Sequence, residues 1–424
     1  MKTPAIIIFA VTYLLLLSYP KYRAYIALIS ATIFVSLGIL PLNKVLSTVD
    51  WNVILMIAGT MGVVGLFIES KMPSLLADIM IERMPNVKWA IISLALFAGI
   101  ISAFVDNVAT VLMVAPVALT ISKKLKISPV PSIIAIAVSS NLQGAATLVG
   151  DTTSILLGGY AGLNFLDFFY VDGRIGIFWI VEVGALISTL VLVILFRKEK
   201  QTIKTMERTE VKDYFPTVLL LGIIILMICA SFVPEEYKPD TINGIICMSL
   251  FVIGLVKNIL FTRDIGGLTK AIKDIDYSTI LLLTGLFIVI GGITEVGIVE
   301  DIGDLFVKVG NDNVFLIYTL IVWASVLFSA FIDNIPYVLT MLPVTAEISY
   351  QMGIEPNLLF FGLLIGATLG GNITPIGASA NITGLGILRR EGYEVSAPTF
   401  MKISVPFTLS AVISGYLLNW LIWS

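Results

Sequence analysis

Histidine is absent from the 424 residues, and cysteine occurs only twice. The first absence removes the commonest metal ligand and the usual general base near neutral pH. The two cysteines, Cys229 and Cys247, fall in separate apolar segments and read as small core residues, not as a disulfide or metal pair. Charge is scarce as well: Asp, Glu, Lys and Arg supply 13% of the chain, about half the share of an average soluble domain. No phosphate-binding P-loop occurs, so transport driven directly by ATP would need a separate subunit. No catalytic residue is assigned, and an enzyme is not expected.

Apolar residues make up 58% of the chain, and the mean hydropathy is +0.99. Runs such as residues 175–196 and 215–233 match the roughly 20 residues a helix needs to cross a bilayer. The composition is that of an all-α polytopic membrane protein. The opening stretch resembles a signal peptide, but a comparable apolar segment opens the second half at Phe215, so it reads as the first membrane segment.

Six apolar segments precede a charged linker at 197–213 and six follow it. The first set covers about 4–18, 24–40, 51–68, 88–121, 131–160 and 175–196; the second about 215–233, 241–260, 277–299, 313–349, 357–388 and 403–423. Landmarks recur between the sets. Asp50-Trp51, Gly59 and Glu69 return in the same order and at the same spacing as Asp276-Tyr277, Gly285 and Glu295. Thr147 and Gly150 return likewise as Thr374 and Gly377. Such an internal duplication, here 1–196 and 214–424, is the usual build of a secondary transporter.

Segments 88–121 and 313–349 are too long for one simple span, and each is cut by an Asp-Asn pair. The stretch "SAFVDNVATVLMVAP" at 102–116 and "SAFIDNIPYVLTMLP" at 329–343 agree at 8 of 15 positions. In the first, arms of 88–105 and 108–121 leave a second arm of only 14 residues. Either the segment is a re-entrant hairpin or it is a broken span. Lys and Arg, which concentrate in cytoplasmic loops, discriminate: the hairpin topology places 21 of the 26 on one side, against 15 and 11 for full crossings. The expectation is two inverted repeats, each of five transmembrane helices and one re-entrant hairpin. Both termini then lie outside a plasma membrane, the 197–213 linker is cytoplasmic, and the hairpins enter from opposite faces.

A carboxylate at mid-membrane costs about 2.5–3.5 kcal/mol on insertion scales. Asp106-Asn107 and Asp333-Asn334 could simply cap the helices that follow them. That explains the asparagines better than the aspartates, since a serine would cap without the charge. The functional reading makes both pairs hard-oxygen sites for a coupling ion, Na⁺ or H⁺, with no other cofactor. Segments 131–160 and 357–388 are broken too, by "NLQGAATLVGDTTSILLGG" and "LGGNITPIGASANITGLG". Unwound backbone at membrane depth is tolerated when buried in protein or lining a cavity. Substrate is expected between the tips and these breaks, near Thr147, Gly150, Asp151, Thr152, Thr153, Ser154, Asn372, Thr374, Gly377, Ser379 and Asn381. Asp151 has no acidic counterpart, because Ala378 stands in its place. Glu69, Glu295 and Glu347 read as solvated or interfacial, and no basic residue lies within either tip or break.

The paired SAF-[VI]-DN tips, "GAATLVGD" at 144–151 and "GGNITPIGASANI" at 370–382 resemble the ion transporter superfamily. The nearest branch is that of arsenite permeases, sodium–proton antiporters of the same fold and the melanosomal P protein. Divalent anion–sodium symporters and citrate transporters are more distant. The resemblance implies a homodimer with a scaffold and a mobile transport domain, moving by an elevator mechanism. Where the symporters carry Ser-Asn-Thr at the tips, this chain carries Asp106-Asn107-Val108 and Asp333-Asn334-Ile335, which makes proton coupling as plausible as sodium coupling. Many relatives on this branch read Gly-Asp-Pro-Pro-Asn where this chain reads Gly150-Asp151-Thr152-Thr153-Ser154, nearer the antiporter pattern. The expected function is therefore cation-coupled secondary transport of a small inorganic or carboxylate anion, or an arsenite-like solute. A Na⁺/H⁺ antiporter is the alternative; an ion channel and an intramembrane aspartyl protease are remote ones. Expected partners are the lipid bilayer and a small ion or solute, with no nucleic acid.

Overall fold

The structure, a computed structural model, describes all residues except 200, 203–207, 212, 263–272, 274 and 312, and the side chains at 235, 261 and 262. Part of the 197–213 linker thus lies outside the described residues. The described chain is almost entirely helical. In the first half the helices are α1 (Lys2–Ser18), α2 (Arg23–Ser36), α3 (Val45–Thr48), α4 (Trp51–Glu69), α5 (Met72–Glu82), α6 (Val87–Ser102), α7 (Asn107–Leu125), α8 (Val130–Gln143), α9 (Thr152–Ala161) and α10 (Ile177–Leu195). In the second they are α11 (Phe215–Ser231), α12 (Ile242–Lys257), α13 (Tyr277–Glu295), α14 (Ile298–Gly310), α15 (Val314–Ser329), α16 (Asn334–Met352), α17 (Pro356–Leu364), α18 (Ser379–Arg390) and α19 (Ala397–Trp423).

Local chemistry sets the ends of these helices. Asp50 caps α4 by accepting from the Val53 N–H at 3.0 Å, and Asp276 caps α13 by accepting from the Thr279 N–H at 3.2 Å. Each of these helices has 19 residues, about 28 Å at 1.5 Å per residue, close to the hydrocarbon thickness of a bilayer. Pro20 ends the first helix, because a proline disfavours helical backbone at the residue before it. A 3-10 turn, Pro20–Tyr22, follows, and α1 meets α2 at a bend of 115°. A two-residue hairpin, Tyr170–Val171 against Arg174–Ile175, turns at Asp172-Gly173, both at positive φ; the sequence reading did not anticipate it.

Packing repeats between the halves reciprocally: α2 lies along α13, while α12 lies along α4. The recurring glycines explain the closeness. A Cβ on Gly59 would strike the backbone of Cys247 and Met248, and one on Gly285 would stand 2.6 Å from the Ala27 carbonyl carbon. Two helix groups result. The pairs α2/α13 and α4/α12, with α1 and α11, form one; α6–α9 and α15–α18, with α10 packed on α19, form the other. Contacts of α4 with α7 and α9, and of α13 with α16, join them.

Among the described residues six helices are long and apolar enough to cross a membrane, or up to eight if each bent pair is one span. One expected boundary is corrected. The second arm after Asp106 runs through Ser122, Lys123 and Lys124 to Leu125, 19 residues rather than 14, and is long enough to span by length and composition. It stops where Lys126 takes a left-handed conformation, φ 55°.

Candidate functional site

Four helices begin where the chain breaks. Asp106 caps α7 through the Ala109 N–H at 3.0 Å, Asp333 caps α16 through the Ile335 N–H at 3.1 Å, and Asp151 caps α9 through the Thr152 N–H at 2.8 Å. The fourth, α18, begins after Ala378 and has no side-chain cap. Helix N-termini carry partial positive charge, which three aspartates here offset locally.

The breaks hold the tips by matching contacts. The hydroxyl of Thr147 donates to the Ala103 carbonyl, and that of Thr374 donates to the Ala330 carbonyl. Gly150 lies so close that a Cβ would stand 2.8 Å from the carbonyl oxygens of Ser102 and Ala103. At Gly377 it would stand 2.7 Å from those of Ser329 and Ala330. Glycine is required at both positions by close approach, not by unusual dihedrals.

A buried polar chain connects the tips. Asn107 Nδ2 donates to Asn141 Oδ1 at 2.9 Å, and Asn141 Nδ2 donates to the Thr368 carbonyl at 2.6 Å. The hydroxyls of Thr368 and Thr153 are 2.9 Å apart, and Thr153 donates to Asp151 at 3.1 Å. Asn334 Nδ2 completes the chain at 3.4 Å from Asp151 Oδ2. Both halves therefore contribute to one network whose accepting end is Asp151. Two amide oxygens of the second break, Asn372 Oδ1 and Asn381 Oδ1, are buried without a hydrogen-bond partner among the described residues.

The network faces a cavity of about 370 Å³ lined by Asp106, Asn107, Asp151, Thr152, Asn334 and Ser379. Glu69 and Asp276 line it from α4 and from the start of α13. No basic side chain lines it among the described residues. A second cavity, of about 870 Å³, is its counterpart. Its lining residues Phe287, Ile290, Gly291, Thr294, Glu295 and Leu339 are the repeat mates of Met61, Val64, Gly65, Ile68, Glu69 and Leu112 in the first. The correspondence stops short of the tip: the larger cavity reaches Leu339 and Pro343, and neither Asp333 nor Asn334 lines it.

Asp333 instead meets Arg23, from the start of α2. The guanidinium Nη1 lies 2.6 Å from Asp333 Oδ2, with Ser379 Oγ on the same oxygen at 3.4 Å. The absence of basic residues from the tips and breaks themselves holds, but a distant segment supplies one.

A citrate transporter family profile matches residues 13–366. The chain belongs to the citrate transporter family. Members of that family are transporters, so this is a membrane transporter and not an enzyme. Over 433 residues it is 29% identical to a transporter of Mycobacterium tuberculosis, covering 99% of this chain and 98% of that one. It is 26% identical to the human P protein over 449 residues, which covers 88% of this chain and 54% of the P protein. Among solved structures, the YdaH transporter of Alcanivorax borkumensis is similar at a TM-score of 0.62, with 15% identity, 94% of this chain and 96% of that one covered. MtrF of Neisseria gonorrhoeae follows at 0.53, with 16% identity and coverage of 95% and 85%. At such identities these two structures establish the fold alone.

Within this member of the citrate transporter family, the residues expected at the site do not all meet: Thr153 lies within the polar chain and Asp333 pairs with Arg23. Asp106, Asn107, Asp151, Thr152, Asn334 and Ser379 meet at the smaller cavity. Thr147, Gly150, Thr374 and Gly377 hold the tips from behind. Ser154 donates to the Gly144 carbonyl at 3.2 Å, Asn381 to that of Gly371 at 3.2 Å, and Asn372 to that of Val138 at 2.9 Å. Three charged groups were not foreseen here: Arg23, Asp276 and Glu69. Arg23 reads in sequence as an ordinary loop cation. Asp276 and its repeat mate Asp50 carried a signal, as caps recurring at matching places in the two halves.

Proposed function

We propose that the protein is a cation-coupled secondary transporter in which Asp106 and Asp151 take up the coupling Na⁺ or H⁺ from the smaller cavity. The observation that carries this reading is electrostatic. Three carboxylates, Asp106, Asp151 and Asp276, line one cavity with no basic lining residue among those described. Carboxylate and amide oxygens are hard ligands for a small cation, and a carboxylate also carries a proton. Asn107 uses its Nδ2 in the network, which leaves its Oδ1 as a further oxygen ligand. The transported solute is a small carboxylate or inorganic anion, held where α18 begins without a side-chain cap; free N–H groups at a helix start suit an anionic group. The bound cation offsets the carboxylates that would otherwise repel it.

The repeat-related cavities support alternating access of one site. The tips border the smaller cavity and stand away from the larger. With the Lys- and Arg-rich loops placed in the cytoplasm, the smaller cavity opens inward and the larger outward. Inverted repeats, re-entrant hairpins, an elevator movement, a homodimer and residence in the plasma membrane belong to this same reading. Exchange of Na⁺ for H⁺ without a co-transported anion is the second reading, favoured by the same acidic lining.

Flux in proteoliposomes under imposed Na⁺ and H⁺ gradients tests it, with an internal pH dye and labelled citrate, phosphate and arsenite. Solute uptake that follows a cation gradient supports the first reading, and a sodium-driven pH change without solute supports the second. Solute flux indifferent to both gradients contradicts cation coupling.

A further inference from the structure

We propose that Arg23 is the resident counter-ion of the second tip, and that its ion pair with Asp333 holds that tip beside the smaller cavity. The inference rests on the alternating-access reading above. It makes Arg23 a positioning residue that acts through Asp333.

The pair is partly desolvated, with 22% of the Arg23 side chain and 7% of the Asp333 side chain exposed. It joins elements that otherwise pack apart. α2 lies along α13 and α1, in the first helix group, whereas Asp333 opens α16 in the second. A second contact runs the same way from the bent α1–α2 unit. The Tyr13 hydroxyl donates to the Pro336 carbonyl at 2.8 Å and also meets the Thr340 hydroxyl. Both contacts grip the first turns of α16, and both must break if the second group slides past the first.

Among the described residues the first tip has no such grip. Asp106 is capped by the Ala109 N–H and borders a cavity lined by Asp151 and Asp276, with no basic lining residue among those described. Among the described residues, a cation arriving from that cavity meets Asp106 and Asp151 with hydrogen-bond donors but no basic partner, whereas Asp333 already has Arg23. The geometry also identifies a reporter. Ala109 lines the smaller cavity, and its repeat mate, Pro336, is buried here. Pro336 would line the larger cavity once the second tip swings towards it.

The test uses the full chain in proteoliposomes with Cys229 and Cys247 replaced by alanine and Pro336→Cys introduced. A membrane-impermeant maleimide is applied from the face on which the larger cavity opens. Arg23→Gln is expected to raise the alkylation rate at least about threefold, since losing a state-specific contact shifts the population towards the other state. Arg23→Lys, which keeps the charge, should stay within about twofold of the parent. Asp333→Asn should raise the rate as Arg23→Gln does, and the double variant no further, because one shared contact is lost. An unchanged rate in Arg23→Gln, or additive effects in the double variant, would overturn the proposal. Alkylation needs neither solute nor coupling cation, so it can fail while cation coupling at Asp106 stands, and the converse.

Discussion

The two tips share the sequence Ser-Ala-Phe, then Val or Ile, then Asp-Asn, and each aspartate caps the helix that follows it. Behind them the support is equally matched: a threonine hydroxyl on a tip carbonyl, and a glycine pressed against the same turn. In front of them the match ends. Asp106 borders an acidic cavity, whereas Asp333 is closed off by Arg23. The matched sequence builds both tips alike, and the neighbours of each aspartate differ. The asymmetry comes from Arg23 and Asp276, which lie outside the tips in sequence.

The largest expected effect breaks the front of the comparison. Asp106→Asn keeps a cap and removes the charge, and should lower cation-driven flux about a hundredfold, equivalent to roughly 3 kcal/mol for a lost charged ligand. Flux at the parent rate would remove Asp106 from the coupling site. Next come Gly150→Ala and Gly377→Ala, which test the shared support. Each drives a Cβ into tip carbonyls and should cost about 3 kcal/mol, seen as a lowered unfolding temperature of the purified protein. Equal losses at both positions sharpen the symmetry; a neutral Gly377→Ala alone would break it.

Asp333→Asn ranks third. It leaves Arg23 partly buried without its carboxylate, and a fully buried pair broken this way costs about 3–5 kcal/mol. With 22% of the Arg23 side chain exposed, about 2 kcal/mol of destabilisation is expected by the same thermal measurement. Thr147→Val and Thr374→Val should each cost about 1 kcal/mol, one hydrogen bond to a tip carbonyl, and by matching amounts. The smallest effect is expected at Lys44–Glu295, an ion pair at 2.7 Å with side chains 49% and 37% exposed. Lys44→Ala should change stability by no more than about 0.5 kcal/mol, in contrast with the pair at the second tip.

Most of the helical framework was legible in the sequence because its breaks are chemically loud. Asp-Asn within apolar runs, and glycines mixed with hydroxyls and amides, put the interruptions near 106, 144–151, 333 and 370–378, where the structure has them. Ends marked by charge were read too early. Lys123 and Lys124 suggested a loop, yet they complete the last turn of α7, where cations suit a helix C-terminus. At the candidate site, Asp106 and Asn107 stand out in the sequence because a carboxylate inside an apolar run needs a reason, and the structure places both on the smaller cavity. What Thr147, Thr374 and Asn372 bond to could not be read from spacing. Their partners lie 44 or 234 residues away. Arg23 was the least legible of all. It sits in "YPKYR" beside a proline turn, a setting that reads as a positive loop, and only the 115° bend between α1 and α2 brings it back to a tip 310 residues on.

The central claim is that the first tip takes the coupling cation while Arg23 occupies the second. Cation-driven solute flux, measured side by side for the parent, Asp106→Asn and the neutral double variant Arg23→Gln/Asp333→Asn, tests it most directly. The account predicts that the double variant still responds to the Na⁺ or H⁺ gradient and that Asp106→Asn does not. A gradient response that survives in Asp106→Asn and disappears in the double variant would contradict it.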